Sequence, residues 1–179
     1  MKKVLLHVCC GVCAVYCIQR LTEEGYYVES FFYNPNIHPE SEYLKRKTAA
    51  DEVTVITKTK LIEGPYEPAI WFNECKNYKD SKEGGQRCLI CYRIRLARTR
   101  EEATSRGFDF FTTTLTVSPH KNSKDITTIG REAGSSEFLP IDFKKQDGFK
   151  KTLELAKKHN LYRQNYCGCL YSIRENPQS

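Results

Sequence analysis

Met1-Lys-Lys-Val-Leu-Leu-His-Val-Cys9-Cys10-Gly11 is the stretch that decides the reading of this chain. A short apolar run from Lys2 to Val8 ends on two thiols and a glycine. The residues that follow put Ala14, Cys17, Ile18 and Leu21 on one face at helical spacing, closed by Gly25. A strand that runs straight into an amphipathic helix is the first half of a βαβ unit. The pattern then repeats. Tyr26–Tyr33 is rich in strand formers, and the turn-dense Asn34-Pro-Asn-Ile-His38-Pro39 follows it. A charged helix is expected from about Glu40 to Ala50, and Val53–Thr57 reads as a third strand. Further helices are expected near Pro68–Tyr78, from Arg87 to Ser105, from Ser123 to Ala133 and from Asp147 to His159. Phe108–Thr113 and Phe138–Ile141 read as the remaining strands.

Strands separated by helices argue for a parallel sheet covered on both faces. The expectation is one α/β domain over residues 1–179, with a Rossmann-like, mostly parallel sheet, helices on both faces and a cysteine-bearing C-terminal tail. Ligands of such sheets sit outside the carboxyl ends of the strands, near the topological switch point. Cys9-Cys10, Asn34–Pro39 and Thr112–Asn122 each end or follow a strand, so all three should converge on one edge.

Composition bounds the answer. Apolar residues make up 40% of the 179 and charged residues 28%, which describes a soluble globular chain and excludes disorder and collagen. No apolar run approaches the roughly 20 residues a bilayer demands. The N-terminus meets cysteine and glycine before any adequate apolar stretch, so it reads as a strand, not a signal peptide, and the expected compartment is the cytoplasm. Lys plus Arg outnumber Asp plus Glu by 28 to 22, a surplus that suits a polyanionic partner without demanding one. Arg87, Arg93, Arg95, Arg98 and Arg100 crowd around one cysteine pair.

Nine cysteines, an odd number in a chain read as cytoplasmic, do not suggest a disulfide scaffold. Six lie in close pairs: Cys9-Cys10, Cys88-x-x-Cys91 and Cys167-Gly168-Cys169. Vicinal and C-x-C pairs reach disulfide geometry with difficulty, and both are natural metal ligands. Four or more thiolates meeting at one place suit structural zinc or an iron–sulfur cluster. A ligand set gathered from a strand end, a mid-chain helix and a C-terminal tail favours iron–sulfur over a small zinc knuckle. Cys17 sits on the apolar stripe and reads as a small core residue. Cys13 lies close to the first pair and is left open, and Cys75 is assigned nothing.

Three polar segments can serve a substrate. The amides of Asn34 and Asn36 and the His38 imidazole can bond a ribose or base edge, although a plain helix-capping turn explains them equally well. Thr114 and Ser118 can supply hydroxyls and a helix N-terminus to an anion, against strand propensity plus an N-cap at Asn122 or Ser123. Arg163 and Gln164, between Tyr162 and Tyr166, form a mix of aromatic, cation and amide suited to nucleic acid, or else a packed tail. His7 reads as a buried core histidine. No phosphate-binding loop of the G-x-x-x-x-G-K-[S/T] or G-x-G-x-x-G kind occurs.

In order, the chain reads Leu-Leu-His-Val-Cys9-Cys10-Gly-Val-Cys13, Phe-Tyr33-Asn34-Pro-Asn36-Ile-His38-Pro39, Arg87-Cys88-x-x-Cys91, Phe-Thr-Thr-Thr-Leu-x-x-Ser118-Pro119 and Leu-Tyr162-Arg163-Gln164-x-Tyr166-Cys167-Gly168-Cys169. Together these motifs resemble the QueH-type, cobalamin-independent epoxyqueuosine reductases, over nearly the whole chain. That family often has proline before its third cysteine, where Val12 stands here. The resemblance implies a HUP-like α/β fold. It implies reduction of the epoxide of epoxyqueuosine in a tRNA anticodon loop to the alkene, the last step of queuosine formation. It also implies a 4Fe-4S cluster, with or without an additional iron ion, and an electron donor that the sequence does not identify; no membrane partner is implied. On that reading Cys10, Cys88 and Cys91 hold the cluster. Cys9, Cys167 and Cys169 complete it and hold the further iron or form a redox pair, and Asp142 is a carboxylate ligand or proton source. The competing readings are a tRNA sulfur-transfer enzyme, which would need ATP, and a zinc-stabilised RNA-binding module.

Overall fold

β1 (Lys3–His7) is the strand around which the fold is built. Its alternation sends Val4, Leu6 and then Val8 into one apolar cluster and Leu5 into another. A strand buried on both faces belongs at the centre of a parallel sheet. β1 pairs in parallel with β2 (Tyr27–Phe32) on one side and β4 (Phe110–Thr113) on the other. β3 (Lys60–Glu63) adds in parallel to β2, giving the order β3-β2-β1-β4. The computed structural model describes residues 1–173; 174–179, the end of the expected 1–179 domain, lie outside the described residues.

The helices divide between the two faces. α1 (Gly11–Glu23), α2 (Glu40–Thr57) and α6 (Gly148–Lys158) cover the Val4–Leu6–Val8 side, with Ile18, Leu21, Val53 and Ala156 in one cluster with it. α4 (Gln86–Ser105) covers the Leu5 side through Ala103, and α5 (Ser123–Ala133) packs on α4 through Ile126 and Ile129 against Tyr92 and Leu96. α3 (Pro68–Cys75) packs on α4 through Trp71 and Cys75. Crossovers fall on both faces of β1, so the order reverses between β1 and β4, the expected switch point.

Two expected strands are corrected. Val53–Thr57 is not a strand; it is the last part of α2. Its β-branched residues suggest a strand by propensity, but Ala49, Ala50, Val53 and Thr54 share one buried helical face while Val55 is 79% exposed. Lys58, in the left-handed region at φ 55, stops the helix, and the third strand comes only at Lys60. Phe138–Ile141 forms a single parallel bridge, Phe138 to Phe111, beside β4. Pro140 has no N–H to continue a ladder there.

Candidate metal centre and cavity

The C-C-x-x-C spacing becomes a three-thiol site through the start of α1. Cys9 follows β1, Cys10 is the extended residue before the helix (φ −170, ψ 161), and Cys13 lies in the first turn. Gly11 lets α1 start here: a Cβ on it would stand 2.3 Å from the Ala49 carbonyl oxygen of α2. The three sulfurs all lie within 4.8 Å of one another, with Cys9 and Cys10 3.8 Å apart. At a metal–sulfur distance of about 2.3 Å, tetrahedral ligand sulfurs stand about 3.8 Å apart, so this spacing suits a shared metal ion. The expectation placed Cys10 with Cys88 and Cys91 on the cluster; the structure sets Cys10 within 4.8 Å of Cys9 and Cys13.

The site favours ionisation at one of its three sulfurs, Cys9. The Cys9 thiol is pushed well below its ordinary range by bonds from Cys10 and Cys13; burial opposes this, and the Thr114 hydroxyl and the Lys121 charge assist it. The Thr114 hydroxyl donates to the Cys9 sulfur at 3.5 Å, and the Gln164 amide donates to the Cys10 sulfur at 3.0 Å. Cys13 acts to lower Cys10, but its tie to Cys9 and burial win and push it up to about 12. Cys13 is pushed well above its range by its ties to Cys10 and Cys9. The thiol set therefore yields its first proton at Cys9. The positive end of α1 supports that charge.

A second thiol group lies off the cavity lining. Cys88 and Cys91 stand in the first turns of α4, and the Gly84 N–H donates to the Cys88 sulfur at 3.2 Å. Cys91 is buried with Cys75, Cys169 and Trp71. Burial pushes Cys91 up to about 11, although Arg95 pulls the other way. Burial, reinforced by Cys91 and Cys169, pushes Cys75 up to about 12. Cys17 is fully buried in the core as expected.

A cavity of about 340 Å³ opens at the switch point. Of the residues expected at the site, Cys9, Thr114, Ser118, Arg163, Gln164 and Cys167 line it. The strand-end convergence is real for β1 and β4. The β2 loop does something else. Asn34, Asn36 and His38 are buried and do not line the cavity. The Asn34 amide donates to the Val8 carbonyl at 2.9 Å, the His38 N–H donates to the Gly168 carbonyl at 2.8 Å, and the Tyr166 hydroxyl donates to the His38 carbonyl. The His38 ring stacks on Phe72, 4.4 Å between centroids. This loop seats the tail that carries Cys167 and Cys169. Gly168, at φ +123, packs there against Arg46, Ile37 and Asn36, where a larger residue would be strained. Asp142 also lies off the cavity lining, accepting from the Ser123 hydroxyl at 2.9 Å and the Lys144 N–H at 3.1 Å.

His7 ties the strand ends together. Its Nε2 donates to the Tyr33 carbonyl at 3.1 Å and its Nδ1 accepts from the Thr113 hydroxyl at 2.9 Å. Burial, then the Arg95 charge, pulls its pKa down to about 4. As pH falls from about 6.5, an unfolded histidine takes a proton that folded His7 refuses. The His7 contribution is thus complete above pH 6.5 and shrinks towards pH 4, by about 3 kcal/mol. Imidazole ¹⁵N shifts should show the neutral Nε2–H form at pH 5; a charged ring there would contradict the assignment.

The sequence leaves Cys13 open, places Arg95 only among the five arginines around Cys88 and Cys91, and gives Cys75, Arg46 and Lys121 no role. Cys13 carries a signal in the C-C-x-x-C spacing, and Arg95 one in that arginine cluster. Lys121 and Arg95 line the cavity together with Arg46.

Comparison with known proteins accords with this geometry. The family described as "Epoxyqueuosine reductase QueH" matches residues 4–175. The epoxyqueuosine reductase QueH of Thermotoga maritima is 40% identical over 181 residues, covering 98% of this chain and 92% of the relative. That of Streptococcus pyogenes is 34% identical over 180 residues, covering 96% and 70%. Among solved structures, a predicted subunit of a tRNA methyltransferase from Methanocaldococcus jannaschii superposes with a TM-score of 0.62 over 88% of this chain and 76% of that one. At 14% identity, that likeness speaks for the fold, a parallel α/β sheet, and for nothing else. With five motifs in order, a parallel sheet and clustered thiols at its switch point, the chain belongs to the epoxyqueuosine reductase QueH family.

Proposed function

We propose that this chain reduces the epoxide of epoxyqueuosine in tRNA to the alkene of queuosine, the last step of queuosine formation. The observation that carries the reading is a three-thiol site opening on a cavity at the sheet's switch point, in a chain matched to this family along almost its whole length. Each turnover consumes two electrons and two protons, breaks both carbon–oxygen bonds of the epoxide and releases water.

The donor set fits an iron–sulfur group: soft, sulfur-only and clustered, with Cys9 set toward ionisation. Cys9, Cys10 and Cys13 would hold iron on the cavity side, and Cys88, Cys91, Cys167 and Cys169 supply the remaining thiolates of a 4Fe-4S cluster and a further iron. When bound, such a group supplies single electrons and an open iron position that polarises oxygen. The protein's own residues do the rest. Gln164 orients Cys10, Thr114 orients Cys9, and the tail seated by the Asn34–Pro39 loop brings Cys167 to the cavity. The cavity, near the lower end of ligand-pocket volumes, has room for one modified base unstacked from its loop. Arg163, exposed beside it, meets the flanking phosphates. The electrons come from an external one-electron carrier. No described helix is long and apolar enough to cross a membrane, and we place the enzyme with its tRNA in the cytoplasm.

Anaerobic purification with iron, sulfide and zinc analysis, followed by dithionite-driven turnover of epoxyqueuosine tRNA, tests the reading. A brown, iron- and sulfide-containing protein that forms queuosine is expected. A colourless zinc protein without turnover would overturn it.

A further inference from the structure

Four cationic side chains, Arg46, Arg95, Lys121 and Arg163, line the cavity, and they are not equivalent. Arg46 is consumed within the protein: its guanidinium bonds Glu42 and the carbonyls of Tyr166 and Cys167. Arg95 is buried in α4 and bonded by its Nε to the Cys91 carbonyl, which fixes it among the second thiol group. Lys121 is the one lysine on the lining. The lysine ion pairs among the described residues belong to Lys2, Lys47 and Lys144, none to Lys121.

Its backbone is held firmly. The Lys121 N–H donates to the Ser118 carbonyl at 3.3 Å, and the Lys144 ammonium donates to the Lys121 carbonyl at 2.9 Å. The residue follows β4 in the loop Ser118-Pro119-His120-Lys121 and is itself partly buried. A tethered main chain with a flexible, unpaired ammonium inside a cavity is a built donor for a ligand. Lys121 lines the same cavity as Cys9, Cys13 and Cys167, and Arg163, the remaining cation of the lining, is exposed.

We propose that Lys121 is a catalytic residue whose ammonium binds the epoxide oxygen and stabilises the negative charge that collects on it as its carbon–oxygen bonds break. The proposal rests on the reductase reading above. Both electrons come from the external one-electron reductant and both protons from water, and the oxygen leaves as water; Lys121 acts by charge and hydrogen bonding alone. The epoxide is neutral before the bonds break, so the interaction is strongest in the transition state and belongs in kcat, not in binding.

The test compares wild type with Lys121→Met, Lys121→Gln and Lys121→Arg in dithionite-driven turnover of epoxyqueuosine tRNA, with iron content, visible spectrum and tRNA affinity measured on each. Methionine and glutamine should lower kcat about 100-fold, as loss of one donor to a developing oxyanion does. Iron content, spectrum and affinity should stay at wild-type values, and arginine should restore part of the rate. A methionine variant that loses iron would make Lys121 a counter-charge for the thiolates and overturn the proposal. Weakened tRNA binding at unchanged kcat would make it a phosphate contact and overturn it equally. Unchanged kinetics would also overturn it. Wild type that binds epoxyqueuosine tRNA but never reduces it would instead overturn the reductase reading itself.

Discussion

On the proposed iron–sulfur reading, Cys13→Ser is expected to strip the protein of iron and abolish turnover as completely as Cys9→Ser. The three sulfurs of Cys9, Cys10 and Cys13 lie within 4.8 Å of one another, so each supplies a third of the tightest donor group. A serine hydroxyl is a harder ligand that does not ionise near neutral pH, and it cannot replace a thiolate toward iron. Loss of an outer-shell partner alone costs about 10–100-fold in metal affinity, and loss of a ligand should exceed that. The contrast is Cys17, one turn further along α1. It is fully buried in the core and does not line the cavity, and burial pushes its thiol well above the ordinary range. Cys17→Ala should keep its iron and its rate and lose stability by about 1–2 kcal/mol as a small core truncation. Iron per chain, visible absorbance and single-turnover rate on both variants decide the matter. Full iron in Cys13→Ser would remove Cys13 from the centre.

Much of this architecture is legible in the sequence because it is local. The run into Cys9-Cys10-Gly11 and the helical spacing after it give β1 and α1, and Asn122 caps α5 through its bond from the Lys124 N–H. The convergence of Cys9 and Thr114 follows from topology: parallel neighbours end on the same edge. What the sequence misleads on is competition between scales. The Val53–Thr57 run favours a strand residue by residue, and the buried face of α2 overrides it. What it hides is long-range. The polar groups of Asn34, Asn36 and His38 suggest a ligand, yet they are buried beneath the tail that returns more than a hundred residues later to bond His38. Cys75 carries no motif, and only packing places it beside Cys91 and Cys169. Lys121 is one of 28 lysines and arginines until the loop after β4 sets it on the cavity lining.

Arg46→Met should destabilise the protein by about 3–5 kcal/mol, the range for removing one partner of a buried ion pair. By sequence, Glu42 and Arg46 are an i,i+4 pair on a charged helix, worth about 0.3–0.5 kcal/mol if exposed. Burial changes the case. Arg46 is 1% exposed and Glu42 7%, their side chains 2.7 Å apart. The Arg46 fork also donates to the Cys167 carbonyl at 2.9 Å and the Tyr166 carbonyl at 3.0 Å, with the Tyr166 ring 5.1 Å away. Glu42 in turn accepts from the Tyr162 hydroxyl at 2.6 Å. Removing the guanidinium strands a buried carboxylate and two tail carbonyls at once. For a chain of this length the loss corresponds to a fall of about 10 °C in Tm. The tail should loosen with it, read as faster amide exchange around Tyr166–Cys169 and a lower iron content. Arg46→Lys keeps the charge but not the fork, so it should recover only part of the stability. The double variant Glu42→Gln/Arg46→Met should be more stable than Arg46→Met alone, because no uncompensated charge remains. A loss below about 1 kcal/mol would return the pair to the surface class and leave the tail to be held by the Asn34–Pro39 loop alone.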